Sequence, residues 1–206
     1  MAIYYDVHPQ DPQQRILAKV AERLADDALI AYPTDSGYAL GCRLDSTTGA
    51  DRIRAIRQLD KSHHYTLVCA DLAQAGRYVK LDNPMFRAIK AVTPGPYTFI
   101  VPATREVPRR MAHPKKYTVG IRLPDQRVTH ALLEAYGDPI LSSTLILPGQ
   151  ETPLTEGWVV QDEIGNRVDV VLDGGEVGLE PTTVIDWTGT GPVVARVGAG
   201  DPELFE

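Results

Sequence analysis

The sequence predicts an α/β or mixed α+β fold around a largely buried, twisted sheet. Two observations indicate this class: short apolar runs of strand length alternate with amphipathic segments of helical period, and the alternation lacks the even period of a β/α barrel. The chain has 206 residues, 43% of them hydrophobic, which suffices for one large domain with its own core. Because no internal repeat, low-complexity tract or long linker interrupts it, we expect a single domain over residues 1–206.

The first helix is indicated by a start signal and by its period. Asp11-Pro12 has the pattern of an N-cap followed by proline at the first helical position. Five apolar residues then fall on one helical face: Ile16, Leu17, Val20, Ala21 and Leu24. This pattern predicts an amphipathic helix over residues 12–26.

Glycine and proline bound several of the later elements. Asn83-Pro84 opens a helix, Pro94-Gly95-Pro96 stops it, and Gly137 ends another. After the first helix, the sequence predicts strands at 28–32 and 38–42, a helix at 48–58, a strand at 65–69, helices at 71–78 and 83–92, strands at 97–101 and 117–122, a helix at 129–136, an apolar run rich in hydroxyls at 141–147, and strands at 168–172, 183–187 and 193–197.

Composition excludes several classes of protein. No apolar run approaches the roughly 20 residues that span a bilayer, and the N-terminus lacks the basic-then-apolar order of a signal peptide. Cys42 and Cys69 do not make a disulfide framework and are expected to be small buried residues of a reduced protein. We therefore expect a cytoplasmic protein with no membrane partner.

The familiar motifs for phosphate, dinucleotide and nucleophile sites are absent. His63 and His64 form the one histidine pair, but adjacent residues on a strand point to opposite faces, so we expect no metal site. Asp173-Gly174-Gly175 could offer backbone N–H groups to an anion. A plain turn is the simpler interpretation of that segment.

The net charge of −6 hides an asymmetry along the chain. Residues 1–122 hold 18 Lys and Arg against 12 Asp and Glu, whereas residues 123–206 hold 3 against 15. The densest basic group lies in one segment: Arg105, Arg109, Arg110, Lys115 and Lys116. This group is either a solvated loop or a surface for an anionic partner such as RNA.

Polar or glycine-rich breaks follow several predicted strands, where ligands of open α/β sheets bind. One is Pro33-Thr34-Asp35-Ser36-Gly37, which equally fits a turn capped by its own hydroxyls. A second is Pro94-Gly95-Pro96-Tyr97-Thr98. The third, Gly120-Ile121-Arg122-Leu123-Pro124, places Arg122 to bind a carboxylate or phosphate, or to form a structural salt bridge.

Five motifs occur in an order that resembles the YrdC-like family, whose best-known members make threonylcarbamoyl-adenylate for tRNA modification. They are Tyr32-Pro33-Thr34-Asp35 with Tyr38-x-Leu40-Gly41-Cys42, then Pro94-Gly95-Pro96-Tyr97-Thr98-Phe99, then Gly120-Ile121-Arg122-Leu123-Pro124, then Gly174-Gly175 with Pro181-Thr182-Thr183-Val184-Ile185-Asp186, and Val194-Ala195-Arg196-x-Gly198. The resemblance covers residues 12 to 200.

The resemblance implies a YrdC/RibB-like fold: a twisted, mostly open mixed sheet flanked by helices, with a concave basic face. It implies L-threonine, bicarbonate and ATP as substrates, with Mg²⁺ accompanying the nucleotide, and threonylcarbamoyl-AMP and pyrophosphate as products. It also implies double-stranded RNA or tRNA as a partner of the concave face, with the basic segment as its contact.

Site residues carry over by position. The resemblance assigns threonine contacts to Thr34, His63, Arg122, Ser143 and Thr183. It assigns nucleotide contacts to Thr118, Thr144 and Arg196, and catalytic roles to Arg57 and Thr144.

Two departures match the YciO subgroup. Arg57 stands where the synthases of the family have lysine, and Leu59 stands where they have arginine. Likewise Thr144 replaces a serine and Ile146 an asparagine. Because adenylate formation needs positive charge at the leaving pyrophosphate, these changes predict a weak or altered synthase. The alternative is an RNA-binding protein without synthase activity.

Overall fold

The computed structural model describes residues 1–60 and 63–205. Its strands are β1 (Ile3–Asp6), β2 (Ile30–Thr34), β3 (Gly37–Arg43), β4 (Thr66–Val68), β5 (Tyr97–Pro102), β6 (Thr118–Arg122), β7 (Ile140–Thr144), β8 (Val170–Asp173), β9 (Thr183–Asp186) and β10 (Val193–Arg196). Its α-helices are α1 (Gln14–Ala25), α2 (Thr47–Arg57), α3 (Leu72–Tyr78), α4 (Asn83–Val92), α5 (Arg127–Tyr136) and α6 (Gly157–Ile164), and a 3₁₀ turn covers Pro202–Phe205.

All ten strands of the described residues join one mixed sheet in the order β1-β8-β2-β3-β7-β4-β6-β5-β9-β10. The pairs β1–β8, β8–β2, β4–β6 and β5–β9 are parallel, and the other neighbours are antiparallel. Because β1 and β10 remain as edges, the sheet is open. The predicted mixed, mostly open sheet flanked by helices is confirmed. In the described residues, no helix is long and apolar enough to cross a bilayer.

Helices α1 and α5 pack on one face of the sheet. Leu17, Val20 and Leu24 of α1 are buried with Val128 and Leu132 of α5 against β2 and β8. These residues recur at helical spacing, so each helix presents one continuous apolar stripe to the sheet. The same cluster reaches Ile140 of β7 and Val68 of β4.

The opposite face holds the larger core. Ile53 and Ile56 of α2, Ile89 of α4 and Val160 of α6 pack there against inward-facing strand residues such as Phe99. Since alternate residues of a strand point to opposite faces, the strands that carry this core on one side are free to carry polar groups on the other.

Some local predictions were wrong. Asp11 is not the N-cap of α1, because the helix begins at Gln14 and the cap position is Gln13, which makes no side-chain cap hydrogen bond. The backbone N–H of Asp11 donates to His8 Nδ1 at 3.0 Å. The sequence-based elements also omitted β1 and α6. Cys42 and Cys69 are both buried free thiols, as predicted.

Candidate functional site

An open cleft of about 460 Å³ lies over the central strands of the sheet. Its floor comes from one side of four central strands: Ser142 of β7, Thr66 and Val68 of β4, Gly120 and Arg122 of β6, and Thr98 and Ile100 of β5. The register explains this set, because Thr66 pairs with both Ser142 and Gly120. Cross-strand partners share a face.

Gly120 leaves space in the floor of the cleft. A Cβ added there would lie 2.9 Å from Thr66 Oγ1 and 3.3 Å from the carbonyl oxygen of Tyr65. No side chain therefore projects from this position. The hydroxyls of Thr66, Thr98 and Ser142 on the same floor can donate and accept hydrogen bonds.

Three side chains meet at the wall formed by the end of α2 and the end of β7. Arg57 Nη1 donates to Ser143 Oγ at 2.6 Å, and Arg57 Nε donates to the carbonyl oxygen of Ile146 at 3.4 Å. His63 Nε2 lies 3.2 Å from the same Ser143 Oγ. Burial lowers the pKa of Arg57, while burial and the neighbouring Arg57 charge lower the pKa of His63 to about 4.

His64 contacts a different strand. Its Nε2 lies 3.1 Å from Thr118 Oγ1, and its ring stacks on His113 with centroids 4.6 Å apart. Burial, followed by His113, lowers the pKa of His64. The predicted opposite orientation of the two histidines on a strand was wrong, since both precede β4 and both line the cleft.

Arg122 lines the cleft as part of a buried ion pair. Its Nη2 donates to Asp35 Oδ1, and the other carboxylate oxygen of Asp35 accepts the Asp125 N–H at 3.2 Å. The salt-bridge interpretation of Arg122 is therefore correct in this structure. Its Nε is buried and, among the described residues, has no hydrogen-bond partner. The guanidinium thus keeps one free donor in a largely buried position.

Arg196 reaches the cleft from β10. Its Nε and Nη2 donate to the carbonyl oxygen of Thr182 at 3.1 and 2.8 Å, and Thr182 Oγ1 lies 2.8 Å from Thr98 Oγ1. Burial, with the nearby charge of Arg122, lowers the pKa of Arg196. The cleft therefore holds three arginines from three separate elements.

The predicted threonine contacts Thr34 and Thr183 do not line the cleft. Thr34 Oγ1 donates to the carbonyl oxygen of Gly37 at 2.6 Å and accepts the Ser36 N–H at 3.1 Å. Thr183 Oγ1 donates to the carbonyl oxygen of Gly200 at 2.5 Å. Both hydroxyls form hydrogen bonds with backbone groups of nearby loop residues. Their assignment as substrate contacts stays a prediction.

The remaining predicted residues divide between the cleft and the surface. Ser143, Thr144 and Ile146 line the cleft. Thr118 forms a hydrogen bond with His64, which lines the cleft, and Leu59 packs against the main core. The basic segment lies outside the cleft and is exposed: Arg105, Arg109, Arg110, Lys115 and Lys116. Arg110 donates to Asp51 at 2.8 Å. The RNA-binding hypothesis gains no support from this placement.

Asp173-Gly174-Gly175 forms a turn whose N–H groups are used within the chain. The Gly175 N–H donates to Asp173 Oδ1 at 2.8 Å, and the Gly174 N–H donates to Tyr38 Oη at 3.2 Å. The turn interpretation is thus favoured over an anion site at these amides.

A magnesium ion fits the cleft only as part of a nucleotide complex. In residues 1–60 and 63–205 no group of three His, Cys, Asp or Glu is arranged to hold a metal. Glu151 is the one carboxylate among the described lining residues. Because Mg²⁺ takes few protein ligands when phosphates and water supply the others, MgATP is compatible with this set.

Residue-by-residue reasoning did not assign Thr66 and Ser142, which line the cleft, and it included Ser36, Thr98 and Thr182 only as members of motifs. Thr98 lies between the buried Tyr97 and Phe99, and this alternation was a signal available in the sequence.

Comparison with known proteins identifies the family. The family model Sua5_yciO_yrdC, described as "Telomere recombination", matches residues 22–198. This chain belongs to the Sua5/YciO/YrdC family. Among curated relatives, the uncharacterized protein YciO of Escherichia coli K12 is 44% identical over the full length of both chains. The threonylcarbamoyl-AMP synthase of Vibrio vulnificus YJ016 is 30% identical over 79% of this chain and 87% of that protein.

Solved structures of the family agree with the fold. The crystal structure of E. coli YciO superposes with a TM-score of 0.96 at 44% identity, covering both chains completely. The P. abyssi Sua5 structure complexed with L-threonine superposes with a TM-score of 0.89 at 25% identity and covers 98% of this chain. This chain spans 59% of that Sua5 protein.

Proposed function

We propose that this protein catalyses a threonylcarbamoyl-AMP synthase type of reaction from L-threonine, bicarbonate and ATP, at a lower rate than the synthases of the family. The observation that carries the proposal is the meeting of Arg57, Arg122 and Arg196 over a floor of hydroxyls. Among the described residues Arg57 and Arg196 have no ion-pair partner, whereas Arg122 is paired with Asp35. Such a set favours an anionic ligand, as a nucleoside triphosphate with an amino-acid carboxylate would provide.

The proposed reaction has two steps. The amine of threonine forms a bond to the carbon of carbon dioxide derived from bicarbonate, losing a proton and giving a carbamate. A carbamate oxygen then attacks the α-phosphorus of ATP, and the bond to pyrophosphate breaks. Positive charge that neutralises the departing pyrophosphate lowers this barrier.

Each arginine has a proposed part. Arg122 would bind the threonine carboxylate, and Arg196 with Thr144 would contact the nucleotide. Arg57 would face the phosphates, since it reaches into the cleft beside Ser143. The relatives support the class of reaction, because a threonylcarbamoyl-AMP synthase is 30% identical to this chain and a Sua5 structure complexed with L-threonine has the same fold.

The reduced rate follows from what the cleft lacks. Ile146 lines it where the synthase pattern has an amide, and Leu59 packs into the core where that pattern has a second cation. Loss of one positioned donor commonly costs about 3 kcal/mol of barrier, or roughly a hundredfold in rate.

A direct assay tests the proposal. The pure protein is incubated with L-threonine, bicarbonate, MgATP and pyrophosphatase, and threonylcarbamoyl-AMP is measured by mass spectrometry. We expect slow product formation that requires all three substrates. Absence of product at high enzyme concentration would overturn the proposal.

Variants inside and outside the cleft test whether the measured activity comes from this site. Arg57→Gln should lower the rate at least tenfold, whereas Arg109→Gln, an exposed arginine outside the cleft, should leave it unchanged. Ile146→Asn should raise the rate, because it adds a polar group to the wall beside Arg57.

A further inference from the structure

Arg57 is a half-buried cation on the wall of the cleft. Its hydrogen bonds are to the neutral Ser143 hydroxyl and the Ile146 carbonyl, and no ion pair of the described residues includes it. Arg122, by contrast, is paired with Asp35. A guanidinium that is largely removed from water without a counter-ion favours the binding of an anion beside it.

His63 shares the same hydroxyl. Its Nε2 lies 3.2 Å from Ser143 Oγ, and Tyr65 packs edge-on against its ring with centroids 6.1 Å apart. Among the described residues, the charged groups that act on it are Arg57 and Arg54 of α2, His64 beside it in the chain, and Asp60, whose charge has the opposite effect.

The charge of Arg57 favours a neutral His63. An arginine can only donate, so Ser143 Oγ accepts from Arg57. Because that oxygen keeps a second lone pair as well as its proton, the contact with His63 Nε2 allows the ring nitrogen either to donate or to accept. Burial and the neighbouring Arg57 charge disfavour the protonated ring, which lowers the pKa of His63.

We propose that His63 takes up a proton when a phosphate-class anion binds beside Arg57, so that Arg57, His63 and Ser143 together form a proton-coupled oxyanion site. The anion neutralises Arg57, and His63 Nε2, which in the proposed anion-free form accepts the Ser143 hydroxyl proton, becomes a donor. The Nε2–H bond forms with a proton from solvent, and Ser143 Oγ–H turns toward the anion. His63 thereby supplies the second cation that Leu59 does not. Only the identity of the anion as the pyrophosphate part of ATP rests on the proposed function.

The size of the effect follows from linkage. His63 has a pKa of about 4 in the free protein. If a bound dianion restores the ordinary histidine value of about 6.5, affinity rises about tenfold between pH 7.5 and pH 5.5. Because the pKa of His63 is higher in the anion-bound state than in the free protein, anion binding strengthens as pH falls.

Isothermal titration calorimetry tests this with inorganic pyrophosphate, and with sulfate as a dianion that does not titrate between pH 5.5 and 7.5. Each titration is run in two buffers of different ionisation enthalpy, which reports protons taken up. The protein is compared with His63→Gln and with the matched control His130→Gln, whose exposed histidine lies on α5.

We expect both anions to bind and the sulfate Kd to rise about tenfold from pH 5.5 to 7.5 in the unchanged protein and in His130→Gln. His63→Gln should bind with little pH dependence and no protein-linked proton uptake. Equal proton uptake in all three proteins, or failure of pyrophosphate to bind at millimolar concentration, would overturn the proposal.

A second measurement does not depend on a variant that folds. The NMR titration of the His63 ring should show its pKa rising when sulfate is added, and an unchanged His63 titration would overturn the proposal. Proton-coupled anion binding with no threonylcarbamoyl-AMP formed would leave this inference standing and reject the synthase. Formation of threonylcarbamoyl-AMP without proton-coupled anion binding would support the synthase and overturn this inference.

Discussion

Removing the carboxylate of Asp35 should destabilise the protein strongly, because Arg122 would keep a buried charge without its partner. The side chains of this pair are only 15% and 6% exposed. Breaking a buried pair costs about 3–5 kcal/mol, and we expect the lower end because Arg122 borders an open cleft that admits water. Asp35→Ala also removes the acceptor of the Asp125 N–H.

A surface pair supplies the matched control. Arg43 and Asp45 also form an ion pair, at 2.8 Å, but their side chains are 37% and 62% exposed. Loss of such a pair costs about 0–1 kcal/mol. With an m-value of roughly 2 kcal/mol/M, Asp35→Ala should lower the urea midpoint by about 1.5 M and Asp45→Ala by less than 0.5 M. Equal shifts in the two variants would refute the reasoning.

Two further predictions concern the cleft floor and the buried thiols. Gly120→Ala should weaken MgATP binding measured by calorimetry, because the new methyl group meets Thr66. The control Gly76→Ala, whose added Cβ has no atom within 4 Å, should leave binding unchanged. Equal MgATP affinities in the two variants would contradict this account of the cleft floor. Burial raises the pKa of Cys42 and of Cys69 to about 12, so both should react slowly with iodoacetamide at pH 8 in the native protein and quickly in urea. Rapid native labelling at either thiol, measured by mass spectrometry, would show that it is not held in the core.

Helices and strands with a clear periodicity of apolar residues could be predicted from the sequence, whereas β1 and α6, which lack a clear sequence signal, were not predicted. The apolar face of α1 was found because Leu17, Val20 and Leu24 recur at helical spacing and are fully buried. By contrast, β1 is an edge strand whose residues are mostly exposed, so it has no buried alternation to detect. Helix α6 starts at Gly157 without a side-chain cap, which removes the usual start signal.

The sequence predicted the position of several side chains that line the cleft, but it did not show which hydroxyls instead form hydrogen bonds within their own loop. Arg122, Ser143 and Arg196 were named from motifs and do line the cleft. Thr34 was named from the same motifs, yet its hydroxyl bonds to its own turn. Sequence spacing gives the position of a residue but not the direction in which its hydroxyl is used.

The order of strands in the sheet has a consequence for synthesis of the chain. Strand β8 inserts between β1 and β2, and Ile3 pairs with Val170. Strand β1 therefore leaves the ribosome well before β8, its partner among the described strands, has been made. Strands β9 and β10 complete the other edge later still. A nascent chain stopped before β8 would expose the inner edge of β2, a template for pairing with other chains, so release of a shortened product should favour aggregation.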